Sequence, residues 1–150
     1  MPVQVYRMAG ESNDPQAAAH EYEQQLRLAT KTSLPAQPSL DLVLLGLGED
    51  GHTASLFPGA SILRDRQRVI AATQSPKDPL NRLTMTLAAI NRASVILFLV
   101  TGAGKAGVVR AILDPRTEAE RQLPAALVSP EEGRLIWFLD QSAAADLTMR

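Results

Sequence analysis

The sequence predicts one α/β domain over residues 1–150, built on a mainly parallel open sheet flanked by helices. Three observations lead there. Leu42, Val43, Leu44 and Leu45 run without polar alternation, as strands covered on both faces of a parallel sheet do. Residues 95–100 repeat that signature, and residues 69–72 and 135–139 repeat it more weakly. Helical patterns lie between these runs, and such alternation implies crossover connections in a layered sheet.

The elements follow in order. Residues 3–8 read as a short strand or an extended lead-in. Asp14 before Pro15 is an N-cap with proline at the first helical position. From there Ala18, Tyr22, Leu26 and Ala29 recur every three or four residues, a helical stripe that needs a partner surface. Pro35 and Pro38 break the chain before the first buried strand, expected within residues 40–47. A short helix is expected at residues 87–92. A clearer one is expected at 105–113, with Val108, Val109, Ile112 and Leu113 on one face, and residues 142–147 read as a terminal helix.

Composition narrows the function classes. A hydrophobic fraction of 45% and a charged fraction of 21% are those of a globular domain. The net charge of −1 gives no basic excess to neutralise nucleic-acid phosphates, so no nucleic-acid partner is expected. Cysteine is absent, which excludes disulfides, zinc–thiolate sites and a cysteine nucleophile. No segment approaches the roughly 20 continuous apolar residues that cross a bilayer, and no signal pattern opens the chain. No membrane partner is expected, and a cytoplasmic protein is the default.

The densest functional text is GLGEDGHTASLFPG, residues 46–59, directly after the first buried strand. Open α/β sheets place ligands beyond the carboxyl ends of their strands. Gly46, Gly48 and Gly51 spell a dinucleotide fingerprint, but Phe57-Pro58-Gly59 ends any helix after about one turn. The next acid, Asp65, precedes the following strand, so nicotinamide binding is not expected. Asp50 and His52 are the informative pair: histidine exchanges a proton near neutral pH, and a neighbouring carboxylate holds its ring and stabilises its charged form. The alternative is that His52 caps a short helix over residues 53–56. Ser55 is outside a nucleophile elbow, and Glu49, Asp50 and His52 have no second ligand cluster, so no metal is expected. His20, among polar residues of the first helix, is expected to face solvent.

Two cations stand out. Lys105 follows Thr101-Gly102-Ala103-Gly104 at the start of a helix, where the dipole disfavours a cation and favours a bound anion. A solvated lysine is the other reading. Arg82, before Leu83, carries a planar fork suited to phosphate oxygens, or is an ordinary surface arginine. Arg64, Arg66 and Arg68 read as a solvated basic run.

LDLVLLGLGEDGHTASLFPG at residues 40–59 closely resembles the signature of the 6-phosphogluconolactonases. The resemblance continues through RLTMTLAAINRASVILFLVTGAGKA at 82–106 and LPAALVSPEEGRLIWFLD at 123–140. The related glucosamine-6-phosphate deaminases and isomerases resemble GHIAFNEPG where this chain has GHTASLFPG, which favours the lactonases. The resemblance implies a Rossmann-like, sugar-phosphate isomerase-type sheet. It also implies hydrolysis of 6-phosphoglucono-1,5-lactone to 6-phosphogluconate, in the oxidative pentose phosphate pathway, without cofactor or metal. On matching positions, His52 is the general base and Asp50 its supporting carboxylate. Arg82 and Lys105 hold the substrate phosphate, and Gly48 and Gly51 shape the loop at the reacting end. A Gly-Gly-Ser-Thr-Pro-like phosphate loop and an Asp-Glu-Arg-like segment of the family do not occur in the sequence. The expectation is therefore a chain matching the family's carboxyl-terminal two-thirds, incomplete at the amino terminus. An apolar edge or face should then be left uncovered, with self-association through it. Deaminase or isomerase activity, or a non-catalytic sugar-phosphate-binding fragment, are the alternatives.

Overall fold

The structure, a computed structural model, describes residues 5–78 and 80–148. Residues 3 and 4 of the expected lead-in lie outside the described residues, and residues 5–9 form no regular element. Helix α1 (Pro15–Ala29) starts as its sequence dictates: the Asp14 carboxylate accepts the N–H groups of Gln16 and Ala17 at 3.1 and 3.0 Å. After the proline segment come β1 (Leu42–Leu45), β2 (Ile70–Gln74), β3 (Asn81–Met85) and the one-turn α2 (Leu87–Ile90). They are followed by β4 (Val95–Val100), α3 (Ala106–Leu113), α4 (Glu118–Arg121) and β5 (Arg134–Leu139).

The main sheet is parallel, in the order β1-β4-β5, with Leu42 opposite Val95 and Val95 opposite Arg134. Helices flank it, as expected. Val43, Leu45, Ile96, Phe98 and Val100 point to one side, where they pack with Leu56, Ile90, Val109 and Ile112. Phe98 is fully buried, and its ring stacks on Trp137 with centroids 3.9 Å apart and planes 4° apart.

The other face lacks the cover that unbroken apolar strands imply by themselves, and agrees with the expectation of an uncovered apolar face. Leu42, Leu44, Leu99 and Phe138 alternate with the buried set and are 50, 60, 55 and 55% exposed. Unbroken apolarity encodes two buried faces, but the described core covers only one of them.

Residues 69–72 are also placed differently. Here β2 pairs antiparallel with β3, Ile70 opposite Met85 and Thr73 opposite Arg82, and this hairpin stands apart from the parallel sheet. A short apolar run does not reveal its partner's direction. Val69 and Ile70 are buried with Ala19 of α1, and the Glu23 carboxylate accepts their N–H groups at 3.0 and 3.3 Å. Burial pushes the Glu23 carboxyl up, but Arg27 and these two amides outweigh it and hold it below the usual range. On α1 itself, Ala18, Ala19 and Arg27 are buried whereas Ala29 is exposed, and His20 is exposed too.

Three local expectations change. Residues 53–56 form a tight turn closed by a Thr53–Leu56 bridge, with Ala54 at φ +49°, rather than a helical turn. Where a helix over residues 142–147 is expected, residues 141–146 form successive turns around the buried Ala143. Leu113 is 40% exposed, while Val109 and Ile112 carry the packing of α3. The unanticipated α4 has a readable signal: Thr117 and Glu120 form a reciprocal capping box.

Candidate active site

The chain leaves β1 at Leu45 and folds into a narrow loop. Gly51 N–H donates to Gly48 C=O at 3.0 Å, and Gly48 N–H donates to His52 C=O at 2.8 Å. This closure turns the Asp50 and His52 side chains to the same side. The Asp50 Oδ1 accepts the His52 backbone N–H at 3.1 Å and lies 2.5 Å from His52 Nδ1. A carboxylate accepts, so the ring carries its proton on Nδ1, and Nε2 is left without a protein partner among the described residues. Burial pushes the Asp50 carboxyl up, but the hydrogen bonds from the His52 ring and amide outweigh it and keep it below its ordinary value. No helix starts at His52, which removes the capping alternative.

The loop is braced on three sides. Thr53 Oγ1 donates to Gly46 C=O at 2.9 Å, and Ser55 N–H donates to Thr84 Oγ1 of β3 at 3.2 Å. Phe57 lays its ring against His52, centroids 4.9 Å apart and tilted by 42°. Gly51 has φ +83° and is buried against Leu123, and its carbonyl accepts the Ala125 N–H at 3.0 Å.

Asp50 and His52 open onto a hollow of about 560 Å³ that also takes in Gly48, Arg82 and Lys105. Arg82 arrives on β3 and Lys105 from the short 3₁₀ turn preceding α3. Five of the six residues singled out in the sequence therefore meet at one place. Gly51 is the exception: it lies beneath the loop, facing Leu123, and does not line the hollow.

Sequence reasoning missed Lys77 and Asp78, which line the same hollow, and weighed Glu49, which lines it too, only as a metal ligand. Lys77 belongs to the tip of the β2–β3 hairpin, where Ser75 N–H donates to Leu80 C=O at 2.7 Å and Ser75 Oγ accepts the Lys77 N–H at 3.2 Å. Recognising β3 would have placed this tip beside Arg82. Among the described residues, Lys77, Arg82 and Lys105 form no ion pair, so three unpaired cations share one cavity with the carboxylates of Glu49, Asp50 and Asp78. A cavity with a held imidazole and unpaired cations of both lysine and arginine type suits a small polar molecule that carries an anionic group.

Residues 1–137 match the sequence profile of the glucosamine-6-phosphate isomerases/6-phosphogluconolactonase family. The chain belongs to this family. A human 6-phosphogluconolactonase is 45% identical over 133 residues, covering 88% of this chain and 50% of that protein. The crystal structure of devB protein superposes with a TM-score of 0.86 at 37% identity, covering 99% of this chain and 61% of that one. A 6-phosphogluconolactonase structure from Trypanosoma brucei gives a TM-score of 0.68 at 30% identity, over 92% of this chain and 57% of that one. The chain thus spans about half the length of the curated mammalian family members it matches. No helix among the described residues is long and apolar enough to cross a membrane.

Proposed function

We propose that this chain carries the water-activating centre of a 6-phosphogluconolactonase, hydrolysing 6-phosphoglucono-1,5-lactone to 6-phosphogluconate. The observation that carries this is the 2.5 Å Asp50–His52 pair, which leaves Nε2 without a protein partner at the wall of a hollow that also holds Arg82 and Lys105. In this reading Nε2 takes a proton from water as its oxygen attacks the lactone carbonyl. Asp50 stabilises the imidazolium and keeps its ring in place. Collapse of the tetrahedral intermediate breaks the bond to the ring oxygen. That oxygen recovers the proton from His52, and an open-chain acid is released. Arg82 and Lys105 hold the phosphate, and Gly48 shapes the loop at the reacting end. Ester hydrolysis changes no oxidation state and a held imidazole can activate the water, so this reading calls for no metal or cofactor. A phosphorylated substrate does not cross bilayers unaided, which supports a cytoplasmic setting.

The test is lactone-dependent acid release by this chain and by His52→Ala. Turnover that disappears in the variant is expected; undiminished turnover overturns the assignment of the base. Ammonia release from glucosamine 6-phosphate, without lactone hydrolysis, would move the chain to the deaminase side of its family. Binding of 6-phosphogluconate without turnover of either substrate would reduce it to a non-catalytic binding unit.

The open sheet face supports a second proposal, self-association of the isolated chain. Leu42, Leu44, Leu99 and Phe138 are exposed on one face of the sheet, at whose edge β1 stands among the described residues. Sedimentation should show a dimer or larger species, returned to monomer by Leu44→Lys with Leu99→Lys. A parent chain that sediments as a monomer removes this proposal.

A further inference from the structure

Asp140 follows β5, on the strand next to the one that leads to Lys105. Among the described residues its carboxylate meets backbone and no cation. Gly102 N–H lies 3.1 Å from both Oδ1 and Oδ2, and Ala143 N–H donates to Oδ1 at 2.7 Å. The backbone on either side is joined as well, since Asp140 N–H donates to Val100 C=O at 3.3 Å.

Gly102 is where the chain turns from β4 toward Lys105. Its φ of +97° lies in a region that a side chain would strain, so glycine makes the turn feasible. The same freedom leaves the turn undetermined unless something holds it. Two bonds do so: Asp140 takes the Gly102 N–H, and Lys105 N–H donates to the Gly102 carbonyl at 3.0 Å. The peptide leading into Lys105 is thus fixed at both ends. The Asp140 carboxylate does not itself line the hollow. Its engagement with two amides gives it a geometric use in that place.

We propose that Asp140 is a positioning residue for phosphate binding, holding the Gly102 turn so that Lys105 stands preorganised over the hollow. The inference rests on the reading of Lys105 as a phosphate ligand. A side chain held by its supporting shell loses less freedom on binding, so removing the hold weakens the phosphate contact and leaves the rest of the site as it was.

The experiment compares the dissociation constants of 6-phosphogluconate and gluconate for the parent chain, Asp140→Ala, Asp140→Asn and Lys105→Ala by NMR titration. Asp140→Ala is expected to weaken 6-phosphogluconate roughly tenfold, as loss of one charge-assisted hydrogen bond does, with gluconate unchanged. Asp140→Asn keeps Oδ1, which faces both amides, and is expected to stay within about threefold of the parent, which also separates positioning from misfolding. Equal affinity of parent and Asp140→Ala for 6-phosphogluconate overturns the proposal, as does an equal loss for both ligands. If Lys105→Ala loses phosphate-dependent affinity while Asp140→Ala keeps it, this inference alone fails. If the parent does not distinguish the two ligands, the phosphate reading fails and the inference with it.

Discussion

Gly48 lies directly beneath the His52 ring: a methyl group on its α-carbon would stand 2.0 Å from Nδ1 and 2.7 Å from Asp50 Oδ1. The Asp50–His52 pair closes over this glycine because no side chain occupies the space. Gly48→Ala is expected to push the ring off its carboxylate, since 2.0 Å is far inside van der Waals contact. Lactone turnover should fall by roughly 10²-fold or more, the worth of a positioned general base. The thermal midpoint should change little, because the loop is on the surface. Full activity in Gly48→Ala would show that the pair is not needed as drawn.

Asp50→Asn keeps an oxygen beside Nδ1 and removes the charge that, in the proposed mechanism, stabilises the imidazolium. Turnover should drop by about 10²- to 10⁴-fold while ligand affinity stays near the parent's. The carboxyl is held below its ordinary value of 3.8, so the folded state binds this proton less readily than the unfolded state. Its contribution to stability is present above pH 3.8 and is lost as pH falls through the lower folded value. The stability difference between parent and Asp50→Asn, read from urea midpoints, should therefore shrink in acid. A difference that grows in acid contradicts the sign.

Glu120 joins α4 to α3 by accepting from Arg110, and it also accepts the N–H groups of Arg116 and Thr117 at 2.6 and 3.0 Å. The Arg110 hydrogen bond, then the Arg116 amide, hold its carboxyl at about 2, against an ordinary 4.5. Glu120→Gln should destabilise the chain at pH 7, with a cost present above pH 4.5 and vanishing as pH approaches 2. Chemical denaturation of both proteins across that range checks it; a pH-independent difference would assign the loss to the cap geometry.

Phe98 fills the centre of the covered face against Trp137, with no exposed surface. Phe98→Ala should cost about 3–5 kcal/mol, the range for deleting a buried aromatic side chain. Denaturant unfolding followed by Trp137 fluorescence reads it directly, and a loss under about 1 kcal/mol would mean the core refills the space.

Much was legible because it is local. Asp14 and Pro15 start α1 with groups that lie within a turn of each other, and the strand runs at Leu42 and Val95 carry their own apolar text. The Asp50–His52 pair was readable for the same reason: two residues apart in a glycine-rich loop, they need only that loop to meet. The family signature at residues 40–59 is likewise a contiguous string.

What the amino-acid order determined by itself was the kind of element at each place and the short-range chemistry of the loop after β1. Tertiary structure decided the rest, since strand partners and cavity walls come from segments distant in sequence. It set β2 against β3 and so carried Lys77 and Arg82 to a histidine some 25 to 30 residues earlier. It also turned Gly51 toward Leu123, and it left Leu44 and Leu99 bare. An apolar side chain specifies that it should be covered, but not which surface will do the covering.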